Sequence, residues 1–522
     1  VAHAIETELI ERIKPLVAEI ATVRARALAH LTYADLRVDV SEGKFAAAEN
    51  GAPRSSGDDY RFAFGIRVHA GDRMVAPGYF GRGLGAADLP NLARILGDGL
   101  AAAYRRALAN ADRKAEIRDK FGGLGAALAD TRLCPIRVAQ EVVPAVFAID
   151  PRAMSLDEMV RFTVDISRRV AAADGHVRFN YTSTMTQLNR ELFASSEGAL
   201  IDQSFALTQG MAYVVATGAH NSQELYDVLG HQRGWEILTG GIDEPRMTFP
   251  PFAEFALALA RDGVELTGAP PLPAVAGEVT VVTDPHYNTL VSHEIIGHPV
   301  ELDRALKMET AYAGRSWLLR GLDDTQVGRR VASALVTAYS DPSLPGYGHY
   351  EYDHEGTPAR RVVHIDRGIF KAFMNSRQTA AVFGGEPNGH FKATEAPLVP
   401  LIRMSSTVFD AGTRDPRDII AEVDRGYYLV GHKIPSIAES RENFRISARK
   451  VYEIRDGRLE RLYRDGGIMA DTRDYLMKVD AVGADLSLYP IPNCGKGSPM
   501  QTKKLGNGGP TMRSRAVLTG GH

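Results

Sequence analysis

The chain has 522 residues, of which 44% are hydrophobic and 24% charged, and its formal net charge is −3. That is an ordinary globular composition with room for a large core and two major domains. The slightly acidic balance argues against a generic nucleic-acid binder, and no apolar run approaches the ~20 residues of a membrane span.

In chain order, residues 4–30 read as a helix, with Ile5, Leu9, Ile13 and Leu16 at near-helical spacing. Its acidic, amphipathic opening is unlike a secretory signal. Strands are expected at 34–40, 61–69 and 73–79, the last two joined at Ala70-Gly71-Asp72. The glycine-rich Gly78–Gly85 lacks dinucleotide-binding spacing and reads as a flexible loop. Helices are expected at 87–110 and 155–173. Between them, Cys134 sits beside an apolar run and reads as a buried structural thiol. Strands at 176–184 and 209–217 and helices at 222–238 and 251–263 follow. Gly268-Ala269-Pro270-Pro271-Leu272-Pro273 is proline-rich and marks a linker. It divides the chain into 1–272 and 273–522.

The second half opens with a β-rich run, Glu278–Val282. Asp284-Pro285 then has the form of a helix N-cap with proline in the first turn. The helix carries His293-Glu294-Ile295-Ile296-Gly297-His298. Two imidazoles and a carboxylate are the parts of a zinc hydrolase site, but the spacing departs from the common H-E-x-x-H. At about 100° per residue, an i, i+5 pair on a regular helix points about 140° apart. A π-type turn or a helix break at Gly297–Pro299 is therefore predicted, with Gly297 tolerating unusual dihedrals and Pro299 disfavouring the α conformation at His298. His286, about two turns earlier, is a weaker candidate for substrate contact, with a plain surface histidine as the alternative. Glu301 or Asp303 could accept a hydrogen bond from a ligand imidazole.

Beyond this helix the chain is β-rich, with hairpins read at Val362–Met374 and Val451–Tyr463, turning at Asp366-Arg367-Gly368 and Asp456-Gly457. Arg403, in a strand-like apolar run, is a candidate partner for a substrate carboxylate or a buried acid. His349, His354 and His390 lie in loop-like surroundings and are not taken as ligands. The chain has two cysteines, which allows no disulfide framework and suggests a reducing, cytoplasmic setting. Cys494, in Asn493-Cys494-Gly495-Lys496-Gly497, reads as a loop cysteine whose thiolate Lys496 would favour. The result is an α+β chain: an N-terminal α/β domain and a β-rich C-terminal domain carrying the metal site. Strands near a cleft would suit an extended peptide.

The H-E-x-x-x-H helix together with the late Cys494-Gly495-Lys496 resembles the TldD/PmbA family of peptidases, in its zinc-bearing TldD-like branch. Tyr352–Pro358, Leu401–Thr407 and Gly508–Met512 are similar to further family segments. The residues depart from the family at Pro299 and at Leu401-Ile402. The resemblance implies zinc held by His293, His298 and Cys494, with Glu294 as general base for an activated water. It implies flexible or unfolded peptides as substrates, including precursors of modified peptides. It also implies a dimer, either with a metal-less paralogue or with a second copy. Two other classes stay open: a cysteine hydrolase with Cys494 as nucleophile, and a non-catalytic partner subunit.

Overall fold

A computed structural model describes residues 6–121, 131–311 and 314–520. The chain starts with helix α1 (Leu9–Glu19), which runs on through a π turn and a 3₁₀ turn to Ala27. Leu9 and Ile13 are buried, as the spacing predicts, while Leu16 is half-buried and Ile10 and Val17 complete the buried stripe; Ala4 and Ile5 lie outside the described residues.

Two long strands follow, β1 (Leu31–Glu49) and β2 (Ala52–Ala70), then β3 (Ala76–Gly83). Helix α2 (Leu92–Phe121), strand β4 (Gln140–Val143) and helix α3 (Leu156–Ala171) come next. Ser155 caps α3 in a reciprocal capping box with Glu158, which satisfies two otherwise unpaired N–H groups. Strands β5 (Val177–Ser195), β6 (Leu200–Thr217) and β7 (Ser222–His231) complete one sheet in the order β3-β2-β1-β5-β6-β7, with β4 beside the start of β6.

The central strand shows why this sheet has two different faces. Successive side chains alternate sides. Leu36, Val38 and Val40 pack with α1 and α2 in one apolar core, while Asp35, Arg37 and Asp39 point the other way yet remain buried. That polar face meets the second half of the chain. Arg67 bridges Asp35 and Glu355 at 2.6 and 2.9 Å, and Arg37 contacts His354 Nδ1 at 2.9 Å. The acidic segment at 353–358 is thus a tie between the halves: Asp353 also accepts the N–H groups of Glu355, Thr357 and Phe391.

Three sequence expectations need correction here. Residues 222–231 are strand β7 rather than a helix. Gln223 and Leu225 are buried while Ser222 and Glu224 are exposed, a two-residue alternation that pairing with β6 enforces. Gly78–Gly83 is edge strand, not flexible loop; a Cβ at Gly78 would lie 2.1 Å from the Ala103 carbonyl of α2, so glycine lets helix and strand touch. Cys134 is half-buried in irregular chain rather than fully buried.

In the second half, Glu278–Thr283, Arg425–Ile437, Asn443–Arg455, Gly467–Asp471 and Met512–Thr519 pair in sequence around a ring, the last returning to the first. Closure removes the sheet edges. The residues read as a linker do not hang free: Leu272 is buried and its N–H donates to the Arg464 carbonyl. Both expected hairpins form, across Asp366–Ile369 and Arg455–Arg458. A second sheet contains Ser406–Phe409, which lies between Ala338–Ser340 and Gln501–Gly509, and Ser487–Lys496 pairs with the far side of Gln501–Gly509. No helix among the described residues is long and apolar enough to cross a membrane.

Candidate metal centre

The helix Pro285–Val291 leaves the first barrel strand through Asp284, whose carboxylate accepts the Tyr287 N–H at 2.6 Å and the Gly431 N–H at 2.9 Å. Pro285 occupies the first turn, where a missing N–H costs nothing. The helix then widens into a π turn over Ser292–Gly297, and the His298 N–H donates to the His293 carbonyl at 3.2 Å. A five-residue repeat brings His298 beneath His293; their ring centroids stand 4.7 Å apart at 85°. The i+5 spacing is thus accommodated by the turn itself.

The expected means were different. His298 keeps α-like dihedrals (φ −67°, ψ −45°) although Pro299 follows it. Gly297 has no left-handed φ; it is needed for room, because a Cβ there would lie 2.0 Å from Met404 Sδ.

Cys494 lies on the strand Ser487–Lys496 and not in a loop, at an irregularity where its register against Gln501–Gly509 shifts. It is buried, as are both histidines. Its Sγ is 3.6 Å from His298 Nε2. One donor atom from each of His293, His298 and Cys494 lies within 4.8 Å of the others, and among the described residues no other His, Cys, Asp or Glu trio converges in this way.

Both rings are held from behind. His293 Nδ1 donates to Asn507 Oδ1 at 3.0 Å, and Asn507 Nδ2 donates to the Thr407 carbonyl at 3.0 Å, which orients the amide. His298 Nδ1 donates to Glu301 at 3.2 Å. Each ring thereby turns Nε2 inward. Of the two acids considered from sequence, Glu301 takes this role. Asp303 instead receives Lys496 Nζ at 2.7 Å and the Ile402 N–H at 3.1 Å. Arg304 also grips Glu301 at 2.6 Å. Burial opposes the Glu301 charge, but Lys496, Arg304 and His298 hold its carboxyl well below the usual range. Lys496 therefore balances the acids behind His298 rather than the thiolate.

Burial also opposes ionisation of Cys494, yet the two imidazoles and then Arg403 hold its thiol well below the usual value. His293 is pushed up to about 9: burial disfavours the charged ring, and the Cys494 thiolate outweighs it. Such a thiolate–imidazole set is a fitting donor set for a divalent ion. Glu294 is nearly covered, and its carboxylate meets Arg441 from the hairpin tip between Arg425–Ile437 and Asn443–Arg455. Burial raises its pKa, but His298, His293 and Arg441 lower it further, leaving an ionised base.

The secondary candidates lie elsewhere. Arg403 is fully buried and donates to the carbonyls of Cys494 and Gln501, so it pins the strand that carries Cys494 instead of facing open space. His286 stacks on Tyr489 at 4.5 Å and approaches Asp227 at 3.8 Å, in a group apart from the trio. His354 contacts Glu191 and Arg37, and His390 hydrogen-bonds Asn388 and Ser405. Asn507 and Arg441 were not anticipated. The glycine-rich run around Asn507 was the nearest sequence signal; Arg441, far along the chain, had none.

A barrel joined to a long two-faced sheet, with a buried Cys–His–His centre on a π turn, defines the class: an α+β protein with a candidate transition-metal site. Residues 276–521 match the PmbA/TldA metallopeptidase C-terminal domain. A metalloprotease of Methanothermobacter thermautotrophicus is 29% identical over 69% of this chain and 74% of its own. A zinc metalloprotease TldD homolog of Saccharolobus solfataricus is 27% identical over 47% of this chain and 52% of its own. The fold is also that of TldE from Thermococcus kodakarensis, at TM-score 0.66 and 18% identity over 94% of this chain and 97% of that one. The C-terminal part of the chain, residues 276–521, thus belongs with the TldD/PmbA family.

Proposed function

We propose that this chain is a zinc-dependent peptidase of the TldD-like branch that hydrolyses flexible or unfolded peptides. The observation that carries this reading is the convergence of His293, His298 and Cys494, with Asn507 and Glu301 holding each imidazole in the tautomer a metal needs. Two neutral imidazoles and a thiolate would hold zinc and leave a coordination position open; bound there, the ion would polarise a water or a peptide carbonyl. Glu294 would take the proton from the attacking water and deliver it to the leaving amine. Its pairing with Arg441 keeps it ionised for the first step.

The names of the relatives support the metallopeptidase class. Unfolded peptides fit a centre so deeply covered, since a folded substrate would not reach it. Precursors of modified peptides are one such class. In solution we propose a dimer in a cytoplasmic setting, with a metal-less paralogue or a second copy, and a domain division at 272/273.

Glu294→Gln should retain one zinc per chain and lose peptide hydrolysis by about 10²-fold or more. Retained turnover would remove Glu294 from this role. A second reading has its own observation. Asn507, His293 and Cys494 follow one another in contact, the order of groups in a cysteine hydrolase. The second imidazole and the burial of Cys494 favour the metal reading. Activity that survives exhaustive chelation would favour the cysteine one, and freshly purified protein without zinc would favour a non-catalytic partner subunit.

A further inference from the structure

The polar face of the N-terminal sheet and the strand Gln501–Gly509 enclose a cavity of about 220 Å³, and none of the proposed zinc ligands lines it. Its charge is one-sided. Arg61, Lys392, Lys503 and Lys504 line it, against a single acid, Glu191; Arg61 also reaches Asp39 and Glu395 outside the cavity, each at 3.5 Å, which leaves the three lysines as the excess. Glu191 is already engaged, accepting Asn189 Nδ2 at 2.9 Å and contacting His354 Nε2 at 3.0 Å.

The lysines have no carboxylate partners. Lys392 donates to the Met404 carbonyl at 3.0 Å, and Lys504 to Gln209 Oε1 at 2.7 Å. Lys503 Nζ makes no hydrogen bond or close ion pair among the described residues, its main favourable charge being the already engaged Glu191. Lys392 is buried and Lys503 and Lys504 half-buried, and charges drawn from water are ordinarily paired because desolvation is costly. Burial pulls Lys392 well below the usual lysine range and Lys503 and Lys504 less far, to about 8, so an anion in the cavity would be met chiefly by Lys503 and Lys504. In a chain whose net charge is −3, this local excess of cations is not a reflection of composition.

Register ties the cavity to the metal centre. Lys503 is the cross-strand partner of Cys494, and Asn507, which orients His293, lies on the same strand. Paired Cα atoms are about 5 Å apart and strand residues about 3.4 Å. An extended peptide a few residues long therefore spans both places.

We propose that this cavity is a carboxylate-binding subsite, centred on Lys503 and supported by Lys504, that holds an acidic group of a bound peptide a few residues from the metal centre. The carboxylate belongs either to an Asp or Glu side chain or to the peptide's C-terminus. The proposal deepens the peptidase reading and rests on it for the identity of the ligand as a peptide.

The test uses the full-length Glu294→Gln protein and fluorescent peptides in four forms: Glu or Gln at one position, each with a free or amidated C-terminus. Binding is followed by anisotropy at low and moderate salt. Removing one of the two carboxylates should weaken binding at least tenfold. Adding Lys503→Met should reduce that preference to within twofold, with Lys504→Met as a second variant and circular dichroism confirming the fold. The peptide form that matters identifies the source of the carboxylate. Equal binding of all four forms, or a preference unchanged in both lysine variants, overturns the proposal. Carboxylate preference without turnover of any peptide by the unmutated protein would sink the peptidase reading and leave the subsite standing; turnover without preference would do the reverse.

Discussion

Replacing Asn507 by alanine removes one side chain that acts on the centre without being a proposed ligand. Its carbonyl oxygen takes the His293 Nδ1–H at 3.0 Å, and its amide holds the Thr407 carbonyl at 3.0 Å. Ser292 Oγ also lies 3.3 Å from the Thr407 carbonyl, but its single proton is shared with the nearer Thr289 carbonyl at 3.0 Å, so it compensates only in part. The imidazole end has no replacement: a buried N–H left without an acceptor costs about 1–3 kcal/mol. Freed of its partner, the ring can exchange tautomers or turn Nε2 away from Cys494. Partners of this kind are worth about 10–100-fold in metal affinity, or about 1.4–2.7 kcal/mol. Asn507→Ala is thus expected to weaken zinc binding by that factor, with the fold retained. The assay is competition for zinc against a chromophoric chelator at fixed pH, with circular dichroism as the folding control. A folded Asn507→Ala protein that binds zinc within twofold of the unmutated chain would refute the orienting role.

Three further outcomes are expected. Arg441→Met removes a cation that lowers the Glu294 pKa, so the acid limb of the kcat/KM profile should move to higher pH, because the base must be ionised to act; an unmoved limb would show that the pair does not tune Glu294. Gly297→Ala forces a Cβ to 2.0 Å from Met404 Sδ and should destabilise the chain by about 1–3 kcal/mol. Met404→Ala should relieve part of that loss in a double-mutant cycle by chemical denaturation, and strictly additive effects would mean that the clash lies elsewhere. Chelation should lower the melting temperature of the zinc-loaded protein through loss of a ligand bound only by the folded state; the same treatment should leave Cys494→Ser nearly unmoved, and an equal shift in both would count against Cys494 as a ligand.

Local chemistry made much of this molecule legible. Asp284-Pro285 announced the helix start because capping depends on neighbours alone, and the glycine-bearing turns placed both C-terminal hairpins for the same reason. The i+5 spacing of His293 and His298 required a departure from α geometry, and a π turn is what forms. The need for glycine at 297 was not readable: it makes room for Met404, a residue that only folding brings near.

What sequence alone determined was the inventory of the site and the element that carries its first half, because residue type and short-range spacing suffice for both. Tertiary structure decided which partners complete it. Glu301 was chosen over Asp303 by the direction in which His298 faces. Lys496 was drawn to the acids rather than to the thiolate, because strand geometry points it inward between them. Arg441 and Asn507 reached the site across long stretches of chain, and no local pattern encodes such contacts. The same holds for β7, where pairing with β6 overrode an ambiguous pattern. Neighbours across strands and between the two halves of the chain are fixed by packing as a whole, and there both the Glu294–Arg441 pair and the lysine-lined cavity were decided.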